Sequence, residues 1–274
     1  MKFDKQFILQ LKQVFQSISA QIIPLYEGSD SINVRLKKDR SQVTDADIIS
    51  SRILVEFLSE TGYPVLSEEG SRISDGTHEF WVIDPLDGTA DFVNHTGDFS
   101  FMIAFISGAK PVFGAVYNPL KDIMFYASQE KGAYRIDPST REDKLLVSQE
   151  QRIQNMTLVV SKNHSLPIDM QIAHQLDVKH TLQMGSLGLK AVSIAEQNAH
   201  IYFNTSSKTS IWDTAAAEII ISEAGGRITD LKGHKLVYDL STLRNTNGVV
   251  ISNDTNHTKI LTIIQATIAH EKKN

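Results

Sequence analysis

The sequence predicts an α/β protein: an N-terminal α+β half with an antiparallel sheet, residues 1–150, and a C-terminal α/β half, residues 151–274. Three observations carry this. Apolar residues recur at helical spacing near the N-terminus, short apolar runs broken by turn residues fill 101–136, and strand-like and helix-like segments alternate after about residue 150. No internal repeat, low-complexity tract or flexible linker separates the halves, so they are expected to pack closely around a cleft.

Taken in order, Phe7, Leu11, Val14, Phe15, Ile18 and Ile22 mark one face of an amphipathic helix. Polar residues interrupt it too often for a signal peptide or a membrane span, and a cytoplasmic location is expected. Lys37, Lys38 and Arg40 form the only dense basic run, which suits a solvated loop before the next helix. In "VTDADIISSRILVEFLSE", Thr44 caps that helix and Asp47 closes a capping-box-like pair. "PVL", 64–66, and "FWVI", 80–83, are apolar strands, each running into acids: Glu68 and Glu69 after the first, Asp84 and Asp87 after the second. Turn residues at 108–111, 118–119 and 131–132 divide 101–136 into an antiparallel meander. Then come a strand "TLVVS", helices near 168–176 and 187–196, a strand "AHIYF", a helix from Thr214, a strand "GVVIS" and a terminal helix. Such alternation argues for a mixed or parallel sheet covered by helices.

Composition narrows the function. With 41% hydrophobic and 22% charged residues the chain has the balance of a globular protein, and its length allows a substantial core. A net charge of -5 leaves no broad basic surface for nucleic acid, while a small phosphorylated ligand stays compatible. The absence of cysteine excludes disulfides, thiolate zinc sites and cysteine nucleophiles. Any metal must sit on oxygen or imidazole, and the histidines make no paired ligand motif.

Each acid has an ordinary explanation taken singly. Glu68 and Glu69 suit a surface turn, "DPLDGT" suits a turn tightened by Pro85 and Gly88, and Asp213 in "IWDTAAAEIIISEAGG" suits the start of a helix that Gly225 and Gly226 end. In combination they cost too much. If Glu68, Asp84, Asp87 and Asp213 share one site, each pair about 4 Å apart costs about 4 kcal/mol at an effective dielectric of about 20. Summed over the pairs this exceeds a typical stability of about 5–15 kcal/mol, so protons or cations must relieve it. An all-oxygen cluster suits hard cations, magnesium first.

The segments "VTDAD", "LSEEG", "WVIDPLDGTADF", "GAVYNP" and "WDTAAAEIIISEAGGRITD" stand in an order and spacing that resembles, over nearly the whole chain, the lithium-sensitive, magnesium-dependent phosphatase family that includes inositol monophosphatase. Within it the chain looks most similar to the 3'(2'),5'-bisphosphate nucleotidases of sulfate assimilation. "NHTGDFSFMIAFI" looks like their Gly-Asp/Glu-Phe loop, and "MGSLGLKAVSIAEQ" has Lys190 where inositol phosphatases usually carry an uncharged residue.

The resemblance implies the layered αβαβα sugar-phosphatase fold and a homodimer. It also implies two or three Mg2+ ions on Glu68, Asp84, Asp87, Asp213 and the backbone carbonyl of Leu86. Thr89 and Asp47 would orient and deprotonate the attacking water, with Glu69 holding a further water. The amides of Gly88 and Thr89 suit phosphoryl oxygens. The implied substrate is 3'-phosphoadenosine 5'-phosphate, hydrolysed to AMP and phosphate. Its 3'-phosphate would sit on the metals and Asp213, and its 5'-phosphate on Ser186 and Lys190, with Lys208 a further candidate. The plain alternatives are that Lys190 is a surface helix lysine and that Trp212 packs beside Asp213 and does not stack on adenine. The rival functions are an inositol or sugar (bis)phosphatase, or a non-catalytic metal- or phosphate-binding regulator. The last is disfavoured because Asp47, Thr89 and every ligand are present.

Overall fold

The computed structural model describes residues 3–28, 33–36, 42–70, 73–74, 76–163 and 165–271. The basic run Lys37, Lys38 and Arg40 lies outside them. Helix α1 (Lys5–Glu27) is the expected amphipathic helix, capped by Asp4, whose carboxylate accepts the Phe7 amide. A two-stranded ribbon, β1 (Val34–Leu36) and β2 (Gln42–Thr44), leads into α2 (Asp45–Ser59), with Thr44 at its N-cap.

The meander is larger than the turn signals alone suggest. Strands β3 (Val65–Ser67), β4 (Glu79–Asp87), β5 (Ser100–Ser107), β6 (Lys110–Asn118), β7 (Ile123–Ser128), β8 (Gly132–Ile136) and β9 (Glu142–Leu145) form a seven-stranded sheet in chain order. Only β3 and β4 pair in parallel; every other pair is antiparallel. A short helix, α3 (Thr89–Val93), joins β4 to β5. The sequence β9 carries, "EDKL", is charged because it forms an exposed sheet edge, where apolar patterning is absent.

Strand β4 departs from expectation. It does not stop before its acids but runs on to Asp87, with a register shift between Asp84, opposite Met102, and Asp87, opposite Ser100. Pro85 has no amide hydrogen, so the ladder cannot continue evenly there, and the irregularity re-aims the two aspartates.

The second sheet has the order β11-β10-β12-β14-β13, built from β10 (Thr157–Ser161), β11 (His180–Met184), β12 (Ile201–Asn204), β13 (Arg227–Thr229) and β14 (Val249–Ser252). It is mixed: β10 is parallel to β11 and β12, while β14 is antiparallel to its neighbours. Between these strands lie α4 (Pro167–Leu176), α5 (Leu187–Ala195) and α6 (Ile211–Glu223), and α7 (His257–Glu271) ends the fold. Helix α6 starts at Ile211, ahead of the expected Thr214.

Strand alternation sorts these elements into layers. Trp81 and Ile83 face a core with Leu11, Phe15, Ile18 and Leu54 of α1 and α2. Phe80 and Val82 face the opposite way, onto Val192 of α5 and Ile220 of α6. That central core continues to Val159, Tyr202 and Ile251 on the near face of the second sheet. Leu158, Ile201 and Val250 point to the far face, where Ile172 of α4 and Ile260 of α7 cover them. The result is an αβαβα stack. Among the described residues, no helix is long and apolar enough to cross a membrane.

Candidate active site

Four elements end at one point. Glu68 follows β3, and its amide donates to Ile83 O at 3.2 Å, extending the parallel pairing so that its carboxylate meets Asp84 on the neighbouring strand. Asp213 is the third residue of α6, where its Oδ2 accepts the Ser210 amide at 2.6 Å in a capping box. Carboxylate oxygens of Glu68, Asp84 and Asp213 all lie within 4.8 Å of one another. Asp84 is 2% exposed. Burial first, then the charges of Glu68, Asp87 and Asp213, push its carboxyl well above the usual range. Asp213 is likewise pushed up well above that range, by burial and then by Glu68, against the pull of the Ser210 amide.

Asp87 stands beside this trio. Its Oδ2 accepts the Ser186 hydroxyl at 2.5 Å and the Gly188 amide at 2.7 Å, so the start of α5 holds it from the second half of the chain. Gly88 follows in the left-handed region, φ 93°, and a Cβ there would lie 2.6 Å from Asp98 O. Only glycine allows that turn and that approach.

The expected pairing of Asp47 and Thr89 has hydrogen-bond geometry. Asp47 Oδ2 accepts the Thr44 amide at 2.7 Å and the Thr44 hydroxyl at 2.6 Å, which leaves Oδ1 to accept from Thr89 Oγ1 at 3.0 Å. Thr89 Oγ1 also lies 3.2 Å from Leu86 O. A hydroxyl has one proton, and the carboxylate is the stronger acceptor, so the lone pairs of Oγ1 remain for a water. Burial raises Asp47, opposed by the hydrogen bonds from Thr44 and Thr89. Glu69 is half-buried beyond β3, its amide donating to Ser67 Oγ at 3.2 Å.

Two residues expected at the substrate are buried. Ser186 is fully buried, and its hydroxyl caps α5 by accepting the Leu189 amide while donating to Asp87. It ties the start of α5 to Asp87. Lys190 is neither a surface lysine nor an exposed ligand, being 2% exposed. Its ammonium donates to Gly185 O and lies 5.1 Å from the centre of the Tyr202 ring. Burial lowers it to about 8, although Asp87, Asp91, Asp98 and Asp213 all favour its charge. Lys208 is exposed on the segment leading to α6. Trp212 is partly buried against the central core, in keeping with packing.

The donor set fits a hard divalent cation. Three buried or partly buried carboxylates converge with no nitrogen or sulfur donor in the group, and a cation relieves the repulsion that their crowding creates.

The model of the inositol monophosphatase family matches residues 4–269. The chain belongs to the inositol monophosphatase family. The 3'(2'),5'-bisphosphate nucleotidase CysQ of Escherichia coli K12 is 32% identical over 234 residues, covering 84% of this chain and 92% of that protein. The crystal structure of CysQ from Bacteroides thetaiotaomicron is 27% identical, with a TM-score of 0.77 and coverage of 92% of this chain and 98% of that one. An IMPase from Thermotoga maritima, 20% identical with a TM-score of 0.82 over 97% and 99% of the two chains, shares the fold.

Two further carboxylates, Asp91 and Asp98, border this inositol monophosphatase-family site. Asp91 is buried, its oxygens taken by Thr96 Oγ1 at 2.5 Å and Asn163 Nδ2 at 2.7 Å. A Cβ on Gly185 would stand 2.0 Å from Asp91 Oδ2, so the backbone after β11 passes directly against that carboxylate. Asp98 Oδ2 accepts the Gly185 amide at 3.1 Å. Asp98 stands in the Gly-Asp-Phe loop, and no local sequence signal marks the contacts of its side chain.

Proposed function

We propose that the protein is a magnesium-dependent 3'(2'),5'-bisphosphate nucleotidase that hydrolyses the 3'-phosphate of 3'-phosphoadenosine 5'-phosphate, giving AMP and phosphate. The single observation that carries the reaction class is the convergence of Glu68, Asp84 and Asp213 from three elements within 4.8 Å, beside a hydroxyl aligned by a carboxylate. The 32% identity with Escherichia coli CysQ over most of both chains supports the substrate class.

In this proposal Glu68, Asp84, Asp87, Asp213 and the Leu86 carbonyl would hold magnesium. When bound, the ions supply positive charge that neutralises the phosphoryl oxygens and the departing oxygen. Thr89 accepts a hydrogen bond from the attacking water and, through its own bond to Asp47, passes that proton toward the carboxylate. Asp47 is held for this by Thr44, so its free oxygen faces Thr89 and no other described donor. Glu69, half-buried beyond β3, would orient a further water. The water oxygen bonds to phosphorus as the bond to the ribose 3'-oxygen breaks, and that oxygen leaves with the electron pair. The start of α3, with Gly88 in its left-handed turn, presents amides to the phosphoryl oxygens.

The test is phosphate release by the purified protein with magnesium. Turnover of 3'-phosphoadenosine 5'-phosphate should far exceed that of inositol 1-phosphate and sugar phosphates, and the reverse ranking would reject the nucleotidase assignment. Asp87→Asn should lose nearly all turnover. A chain that releases no phosphate from any of these would instead be a binding module.

A further inference from the structure

The direction of the Asp213 carboxylate depends on a residue far from α6 in the chain. Asp213 Oδ2 is held by the Ser210 amide, which belongs to the peptide unit joining Thr209 to Ser210. The carbonyl of that same unit, Thr209 O, accepts the backbone amide of Asn245 at 2.8 Å. Asn245 donates at one end of the unit and the Asp213 carboxylate accepts at the other, so the two bonds polarise each other in the same sense.

The next peptide unit is gripped as well. Asn245 Nδ2 donates to Ser210 O at 3.0 Å, and the Ile211 amide of that unit donates to Leu243 O at 2.9 Å. Asn245 Nδ2 also reaches Oγ1 of Thr214, the residue after Asp213, at 3.1 Å. Two acceptors at the start of α6 fix which end of the side-chain amide faces the helix. Ser210, Thr214 and Asn245 are all buried, so bulk water does not compete for these bonds.

Asn245 comes from the 230–248 connection between β13 and β14, where Arg244 bridges Ser210 in an antiparallel pairing. Asn247 of the same connection is bonded elsewhere. Its Nδ2 donates to Asp230 Oδ2 at 3.1 Å, and its carbonyl accepts the Leu231 amide at 3.1 Å. Asn247 closes the base of the connection, while Asn245 joins it to the acid cluster. The capping box of α6 is made by Ser210 and Asp213 alone. What Asn245 adds is the orientation of the two peptide units that carry the cap.

We propose that Asn245 is a positioning residue for the cation site, holding the Thr209-Ser210-Ile211 backbone so that the Asp213 carboxylate points at Glu68 and Asp84. This rests on the reading of Asp213 as a magnesium ligand.

The experiment follows the Tm of wild type, Asn245→Ala and Asn247→Ala by scanning calorimetry as magnesium is added after EDTA treatment, and phosphate release over the same magnesium range. Both variants should melt below wild type without magnesium, since each loses buried hydrogen bonds. Asn245→Ala alone should raise the magnesium concentration that gives half of the Tm rise, by about tenfold or more, the usual scale for a lost partner of a metal ligand. Half-maximal phosphate release should move with it, while KM for 3'-phosphoadenosine 5'-phosphate at saturating magnesium stays near wild type. A half-saturating concentration in Asn245→Ala no higher than in Asn247→Ala overturns the positioning role and leaves the magnesium site standing. A wild-type protein whose Tm does not respond to magnesium overturns both. Should Asn245→Ala fail to fold, Asn245→Leu, which keeps the volume and removes the side-chain donor, is judged by the same comparison.

Discussion

Asp47 shows one residue serving two purposes. Its Oδ2 closes the cap of α2 through the Thr44 amide, and its Oδ1 receives Thr89 Oγ1. The capping role leaves room for the proposed chemical one, because a carboxylate has two oxygens with separate lone pairs. Thr89→Ala should lower kcat about 10²–10⁴-fold, the usual scale for a lost proton-transfer group, with little change in KM. Thr89→Ser keeps the oxygen and should retain most of the rate. Steady-state kinetics with magnesium decide this, and an alanine variant close to wild type would remove Thr89 from the reaction. The acids were legible because each sits in a local motif whose turn chemistry depends on its neighbours in sequence. The state of Ser186 and Lys190 was not, because their burial depends on what lies above and below α5. A weaker signal did exist: "LGLKAVSIA" has no polar face apart from its lysine and Ser193, and a helix apolar all round is an interior helix.

At the scale of elements, α5 and α6 form the middle layer, and this explains both what the sequence revealed and what it hid. The alternation in β4, β5 and β6 is clear because each face meets a different core. By contrast β11, "HTLQM", is a polar edge strand and β13 has three residues, so neither carries a readable period. Helix α6 also encloses Glu218, whose Oε2 accepts the Tyr238 hydroxyl at 2.8 Å. Burial pushes Glu218 from 4.5 up to about 7, with the Tyr238 hydrogen bond and then Lys235 and Lys110 opposing it. The folded state thus holds this proton more tightly than the unfolded chain. Its contribution to stability is fully present below about 4.5 and is lost as pH rises through about 7. Glu218→Gln keeps an acceptor for Tyr238 and cannot ionise. Its stability relative to wild type should therefore rise between pH 5 and pH 8, by about 3 kcal/mol at most. Urea denaturation of both proteins at the two pH values measures the difference, and a gap that does not change with pH would show that Glu218 titrates normally.

Across the whole molecule, the acid cluster joins the two sheets' halves of the chain. Glu68 and Asp84 belong to the seven-stranded sheet, while Asp213 opens a helix of the middle layer that continues into the second sheet. Without a cation, the raised carboxyls of Asp84 and Asp213 make the folded protein less stable as pH rises, since ionising them brings like charges together. A cation reverses this and binds better as protons leave. Magnesium at about a hundred times its Kd should then stabilise the fold by about 2.7 kcal/mol, or roughly 5–10 °C in Tm for a chain of this size. The shift should grow from pH 5 to pH 8. Asp213→Asn keeps a cap acceptor for the Ser210 amide but removes one charge. In EDTA at pH 8 it should melt above wild type, yet gain little on adding magnesium. Calorimetry of the two proteins with and without magnesium separates the cases: equal shifts in both would mean that the cation binds elsewhere, and a variant that melts below wild type in EDTA would mean that Asp213 is not under charge repulsion.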